Sequence, residues 1–143
     1  MNNNILLIED NECILETLAL RIGARLQGWN ILTAKNGYEG TEIMSYRPVS
    51  LVLTDLQMPG MDGYGVIEFR NRNFPLIPLF VMTGNLSSSV RDKLRELHVS
   101  ACFEKPFDFD TLFHHVASSI DTATVADAMF ADTGFYTQQR RVA

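Results

Sequence analysis

Leu51-Val52-Leu53-Thr54-Asp55-Leu56-Gln57-Met58-Pro59-Gly60-Met61-Asp62-Gly63 runs from an apolar stretch into an acid, then into a loop rich in glycine and proline. A short, continuous apolar run is what a strand buried on both faces requires, and such strands belong to parallel sheets covered by helices. Asp55 stands at the C-terminal end of that strand, and the glycines and proline after it sit where tight turns are needed.

Working outward, the same alternation appears on both sides. Upstream, Ile5-Leu6-Leu7-Ile8 is a second apolar run, stopped by Glu9-Asp10-Asn11. Leu15, Leu18, Ile22 and Leu26 follow at spacings of three and four, a helical stripe that Gly28 ends. Residues 29–34 read as a strand, Asn36-Gly37 as a turn and 39–46 as a weak helix that stops ahead of Pro48. Downstream, a short helix over 64–70 leads to a strand over 78–83, with Pro78 near its start, where a missing N–H does least harm. Val90, Leu94 and Leu97 mark a helix over 87–97, and 101–103 is a fifth, very short strand. Phe109, Leu112, Phe113, Val116 and Ile120 give a final amphipathic helix. Five strands alternating with helices predict an α/β sandwich of three layers around a parallel sheet.

The chain has 143 residues, 46% hydrophobic and 20% charged, as expected of one globular domain with a real core. We place that domain at residues 1–120. Residues 121–143, rich in Ala, Thr and Asp, form a tail or linker with a short helix over 123–130 as one reading. Twelve Lys and Arg against 17 Asp and Glu leave a net charge of -5, which argues against a broad nucleic-acid surface on this domain. No apolar run approaches the roughly 18 residues that span a bilayer, and the N-terminus lacks a secretory pattern. Cys13 and Cys102 form no metal or redox motif. These features predict a cytoplasmic protein with free thiols and no membrane partner.

The acids matter through their placement. Glu9 and Asp10 end the first strand and Asp55 ends the third, and in an open parallel sheet ligands bind beyond the C-terminal strand ends. If the first and third strands are neighbours, three carboxylates converge, and their shared field suits a hard divalent cation such as Mg²⁺. Taken singly, each acid is equally consistent with capping a helix or facing solvent. Lys105 ends the fifth strand and Thr83 the fourth, adding a cation and a hydroxyl on the same edge. A carboxylate nucleophile, a metal, a cation and a hydroxyl are the parts that make and hold an aspartyl phosphate.

Four stretches in order, residues 5–11, 53–63, Val81-Met82-Thr83-Gly84 and Glu104-Lys105-Pro106-Phe107, resemble the receiver domain of bacterial two-component response regulators over residues 4–120. The resemblance implies a flavodoxin-like fold with strand order 2-1-3-4-5. It implies that Asp55 is the phosphoacceptor and that Lys105 pairs with the phosphoryl group. It makes Thr83 the switch hydroxyl, beside a small residue, Gly84, that leaves access open. Asp10, Asp55 and the backbone carbonyl of Gln57 become Mg²⁺ ligands, with Glu9 holding the metal through water. It also implies a cis peptide at Lys105-Pro106. The implied partners are a sensor histidine kinase or a histidine phosphotransfer protein upstream, and downstream a protein target or an output domain outside this sequence. A homodimer through the face of the fourth helix, fifth strand and fifth helix, about residues 87–120, is a further implied contact. Phosphotransfer and dephosphorylation would be self-catalysed rather than the work of a turnover enzyme.

One position departs from the pattern. The family's switch aromatic lies three residues before the lysine, where this chain has Cys102. Phe103 is one residue off and, in a strand, points to the opposite face. Transmission to the outer surface is therefore expected to differ even though the phosphorylation residues are present. A receiver belonging to a longer regulator, or a module that binds partners without phosphorylation, is the alternative. A Mg²⁺-dependent phosphatase is disfavoured because no insertion is large enough for a substrate cap. His98, His114 and His115 read as structural or surface residues, and no P-loop is present.

Overall fold

A computed structural model of the chain describes residues 3–120 and 135–138. Six strands and five helices appear among them, in the order β1 (Asn4–Ile8), α1 (Glu12–Arg25), β2 (Asn30–Ala34), α2 (Gly37–Tyr46), β3 (Leu51–Asp55), α3 (Gly63–Asn73), β4 (Leu79–Thr83), α4 (Ser88–Glu96), β5 (Ala101–Glu104), α5 (Phe109–Ile120) and β6 (Tyr136–Gln138). All neighbours in the sheet are parallel, in the order β2-β1-β3-β4-β5-β6. The expected order 2-1-3-4-5 is present, and a sixth strand extends it beyond β5. The expected helix over 123–130 falls outside the described residues.

Strand alternation divides the core in two. Leu6, Ile8, Val52, Val81 and Cys102 face one side, where Met44 of α2, Val66 and Ile67 of α3 and Leu94 of α4 pack on them. Ile5, Leu7, Leu53, Met82 and Phe103 face the other, against Leu15, Leu18 and Ile22 of α1 and Leu112 and Val116 of α5. Cys102 and Phe103 therefore do point to opposite faces. Fully burying each aliphatic side chain is worth about 2 kcal/mol, so the sheet is held from both sides.

Helix starts follow the side chains that cap them. Asn11, Asn36, Asp62 and Ser87 each accept a hydrogen bond from a backbone N–H of the first turn. Glu39 adds to the second of these by accepting from the Lys35 N–H at 2.6 Å. At Gly40 the helix comes so close to β1 that a Cβ there would run into the Ile8 side chain.

Candidate functional site

The strand ends assemble the site. β1 and β3 pair directly, with Ile8 opposite Thr54, so Glu9 and Asp10 emerge beside Asp55. Carboxylate oxygens of Glu9, Asp10 and Asp55 lie within 4.8 Å of one another. Glu9 and Asp55 are buried, and Asp10 is exposed. The loop after Asp55 turns back tightly: the Gly63 N–H donates to the Leu56 carbonyl at 2.9 Å. A Cβ on Gly63 would lie 2.5 Å from the Asp55 carbonyl oxygen, so glycine is required there. The Gln57 N–H donates to Asp55 Oδ1 at 3.3 Å and fixes the carboxylate's rotation.

Lys105 joins two of the acids. Its Nζ donates to Glu9 Oε1 at 3.0 Å, to Glu9 Oε2 at 3.2 Å and to Asp55 Oδ2 at 3.2 Å. The Lys105 N–H donates to the Thr83 carbonyl at 2.8 Å, which anchors the lysine to the end of β4. The Lys105-Pro106 peptide is cis. Burial, reinforced by the hydrogen bond to Asp55, pushes the Glu9 carboxyl up to about 8, with Lys105 acting in the opposite direction. Three acids and one shared cation leave excess negative charge at a partly closed strand edge. A hard divalent cation with oxygen ligands matches that donor set, because it relieves the repulsion that otherwise favours protonation.

Thr83 is fully buried, and its Oγ1 accepts from the Asn85 N–H at 3.2 Å. Its hydroxyl is thus engaged with the β4–α4 loop. At Gly84 a Cβ would meet nothing within 4 Å. Glu104 Oε2 accepts from the Leu86 N–H at 3.1 Å and ties β5 to that loop. A cavity of about 540 Å³ opens along the loop that follows Asp55, lined in part by Gln57, Met58, Asp62, Tyr64 and Asn85.

Sequence reasoning placed Glu9, Asp10, Asp55, Thr83 and Lys105 on one edge, and the strand ends do bring them there. It assigned Glu9 to the metal alone and missed that Glu9 takes two of the three Lys105 bonds. It also missed Arg70, a buried arginine that donates from Nε to the Ile77 carbonyl at 2.7 Å and from an Nη to the His98 carbonyl at 3.1 Å. A charged residue in a short helix gives no signal in the sequence of that burial.

A parallel sheet of this order carries its acids and its lysine together at the C-terminal edge, where open α/β sheets bind ligands. The chain belongs to the response regulator receiver domain family, which matches residues 5–117. It is similar to the transcriptional regulatory protein GlrR of Escherichia coli, 27% identical over 123 residues, 86% of this chain and 27% of that protein. It is 30% identical over 111 residues to a response regulator NtrX-like protein of Rickettsia typhi, covering 76% of this chain and 23% of the relative. The chain thus spans about a quarter of the length of these relatives. Among solved structures it resembles the non-phosphorylated HemR receiver domain of Leptospira biflexa, with TM-score 0.76 and 26% identity over 86% of this chain and 98% of the other.

Proposed function

We propose that the domain is a phosphorylation switch in which Asp55 accepts a phosphoryl group from a sensor histidine kinase or a histidine phosphotransfer protein. An Asp55 Oδ attacks phosphorus, the P–N bond to the donor imidazole breaks, and that nitrogen recovers a proton from solvent. The product is a mixed anhydride that water later hydrolyses. Mg²⁺ would be held by Asp10, Asp55 and the Gln57 carbonyl, with Glu9 behind a water, and would supply charge neutralisation for the phosphoryl oxygens. Lys105 leaves part of its contact with Asp55 to pair with the new oxyanion. The Thr83 hydroxyl exchanges its Asn85 contact for one to phosphate.

The observation that carries this reading is Lys105 bridging Asp55 and Glu9 at 3.0–3.2 Å beside Asp10. Such a cluster positions a nucleophile, a cation site and a counter-charge on one strand edge. Output would pass through the surface of α4, β5 and α5 to a cytoplasmic protein target, a second copy of the chain or an output domain. The last fits the observation that the curated relatives are several times longer. Contact with nucleic acid would fall to such an output domain.

Intact mass after incubation with Mg²⁺ and a small acyl phosphate tests the chemistry. The wild type gains about 80 Da, hydroxylamine-labile, and Asp55→Asn gains nothing. No adduct at short times, with the kinase route also silent, would leave a phosphorylation-independent binding module.

A further inference from the structure

The outer edge of β5 is occupied by the chain itself. Tyr136, Thr137 and Gln138 pair in parallel with Ala101, Cys102 and Phe103, and the Tyr136 N–H donates to the Ser100 carbonyl at 3.2 Å. Both faces of this short strand are gripped. On one side Phe135 packs against the core that contains Cys102, with the Arg95 guanidinium of α4 5.2 Å from its ring centre. On the other, the Tyr136 ring lies 3.7 Å from the His115 ring of α5 and 5.7 Å from Phe103, centre to centre. The segment therefore spans α4, β5 and α5 at once. It brings an aromatic ring, Phe135, to the side of the sheet that carries Cys102, where β5 itself offers no aromatic side chain.

The grip is weak for a sheet strand. Residues 135–138 are all only half-buried. Gln138 Oε1 is buried with no hydrogen-bond partner among the described residues, which weakens the segment's hold. Without the segment, β5 would present a bare row of N–H and C=O groups able to template another strand. The path to the site is short: Lys105 follows β5 directly, and Phe103, which touches Tyr136, pairs with Met82 beside Thr83.

We propose that Phe135–Gln138 is an intramolecular strap that closes the α4–β5–α5 surface, and that phosphoryl loading at Asp55 loosens it. The second half rests on the phosphoacceptor reading. Loading draws Lys105 and Thr83 inward, shifts the end of β5, and disturbs the Phe103–Tyr136 contact on which the strap sits. The coupling is reciprocal, so removing the strap changes how readily Asp55 loads.

Hydrogen exchange on the full chain, read by mass on peptides covering 101–104 and 135–138, tests both halves. In resting protein both peptides exchange at least about tenfold more slowly than unstructured chain. The variant Tyr136→Pro, which removes the donor to Ser100 and the ring on His115, loses that protection in both, while β1 and β3 keep theirs and report an intact fold. In a wild-type sample whose intact mass shows loading, protection at both peptides drops several-fold. Unprotected amides in the resting chain, or unchanged β5 protection in Tyr136→Pro, would overturn the strap. Unchanged protection in a loaded sample would overturn its coupling to Asp55. A sample that gains no mass would count against the phosphoacceptor reading instead, and the resting chain and Tyr136→Pro would still decide the strap.

Discussion

One ammonium group, that of Lys105, is shared between Glu9 and Asp55, and Asp10 stands beside them. Like charges held this close cost stability that the chemistry needs. Asp55→Asn should therefore raise the melting midpoint in divalent-free buffer, by about 1–4 kcal/mol in stability, since Lys105 then pairs with Glu9 alone. A midpoint below that of the wild type would mean that Lys105 already balances both acids. The thiols separate just as clearly. Burial pushes Cys102 up to about 12 despite Arg91 and Arg95 nearby, whereas Cys13 is exposed. Iodoacetamide on native protein should label Cys13 and spare Cys102, with peptide mapping as the readout. The placement of these residues on one edge was largely legible, because each acid, hydroxyl and lysine lies at or just past the end of an apolar run. The Glu9–Lys105 pairing was not, because it joins residues 96 apart in sequence, and only the side-by-side placement of strands reveals it.

Helices and strands were legible wherever period and punctuation agreed. β1 and β3 read as buried strands and β4 as a strand from the sequence alone, and the residues of all three are buried. Helix ends shifted by a few residues: α3 runs on to Asn73, past the expected stop at 70, because Arg70 is drawn inward by the Ile77 and His98 carbonyls. β6 carried no signal, since three residues without alternation or turn markers resemble any linker. The packing of α2 on β1 at Gly40 was equally silent, because a glycine in a weak helix looks like a defect. Gly40→Ala should cost about 1–3 kcal/mol, from crowding against Ile8 that outweighs the better helix propensity of alanine. A urea midpoint equal to or above that of the wild type would show that Ile8 has room to turn away.

Across the whole molecule, stability should depend on pH through the contact between α5 and β6. Burial, and then the neighbouring His114, hold the His115 imidazole below its ordinary range. Its Nδ1 lies 3.2 Å from the Thr111 carbonyl, and the Phe103 and Tyr136 rings face it. The folded state thus favours neutral imidazole, while the unfolded chain takes up a proton below about pH 6.5. That contribution is fully present above this value and is lost as pH falls through it. Between about pH 7.5 and 5.5 the wild type should lose more urea resistance than His115→Gln, and equal losses would remove His115 from the account. The uniform direction of the strands carries a last consequence. β1 starts with Asn4 paired to Asn30 at one rim, and β6 finishes with Gln138 beside Phe103 at the other, a strand length of roughly 17 Å away. The chain thus enters β1 at the rim opposite Asp55 and leaves β6 toward the rim that carries it. A tether to a bead or sensor chip through the front of the chain would leave that rim clear for a visiting kinase, whereas one through the back would crowd it.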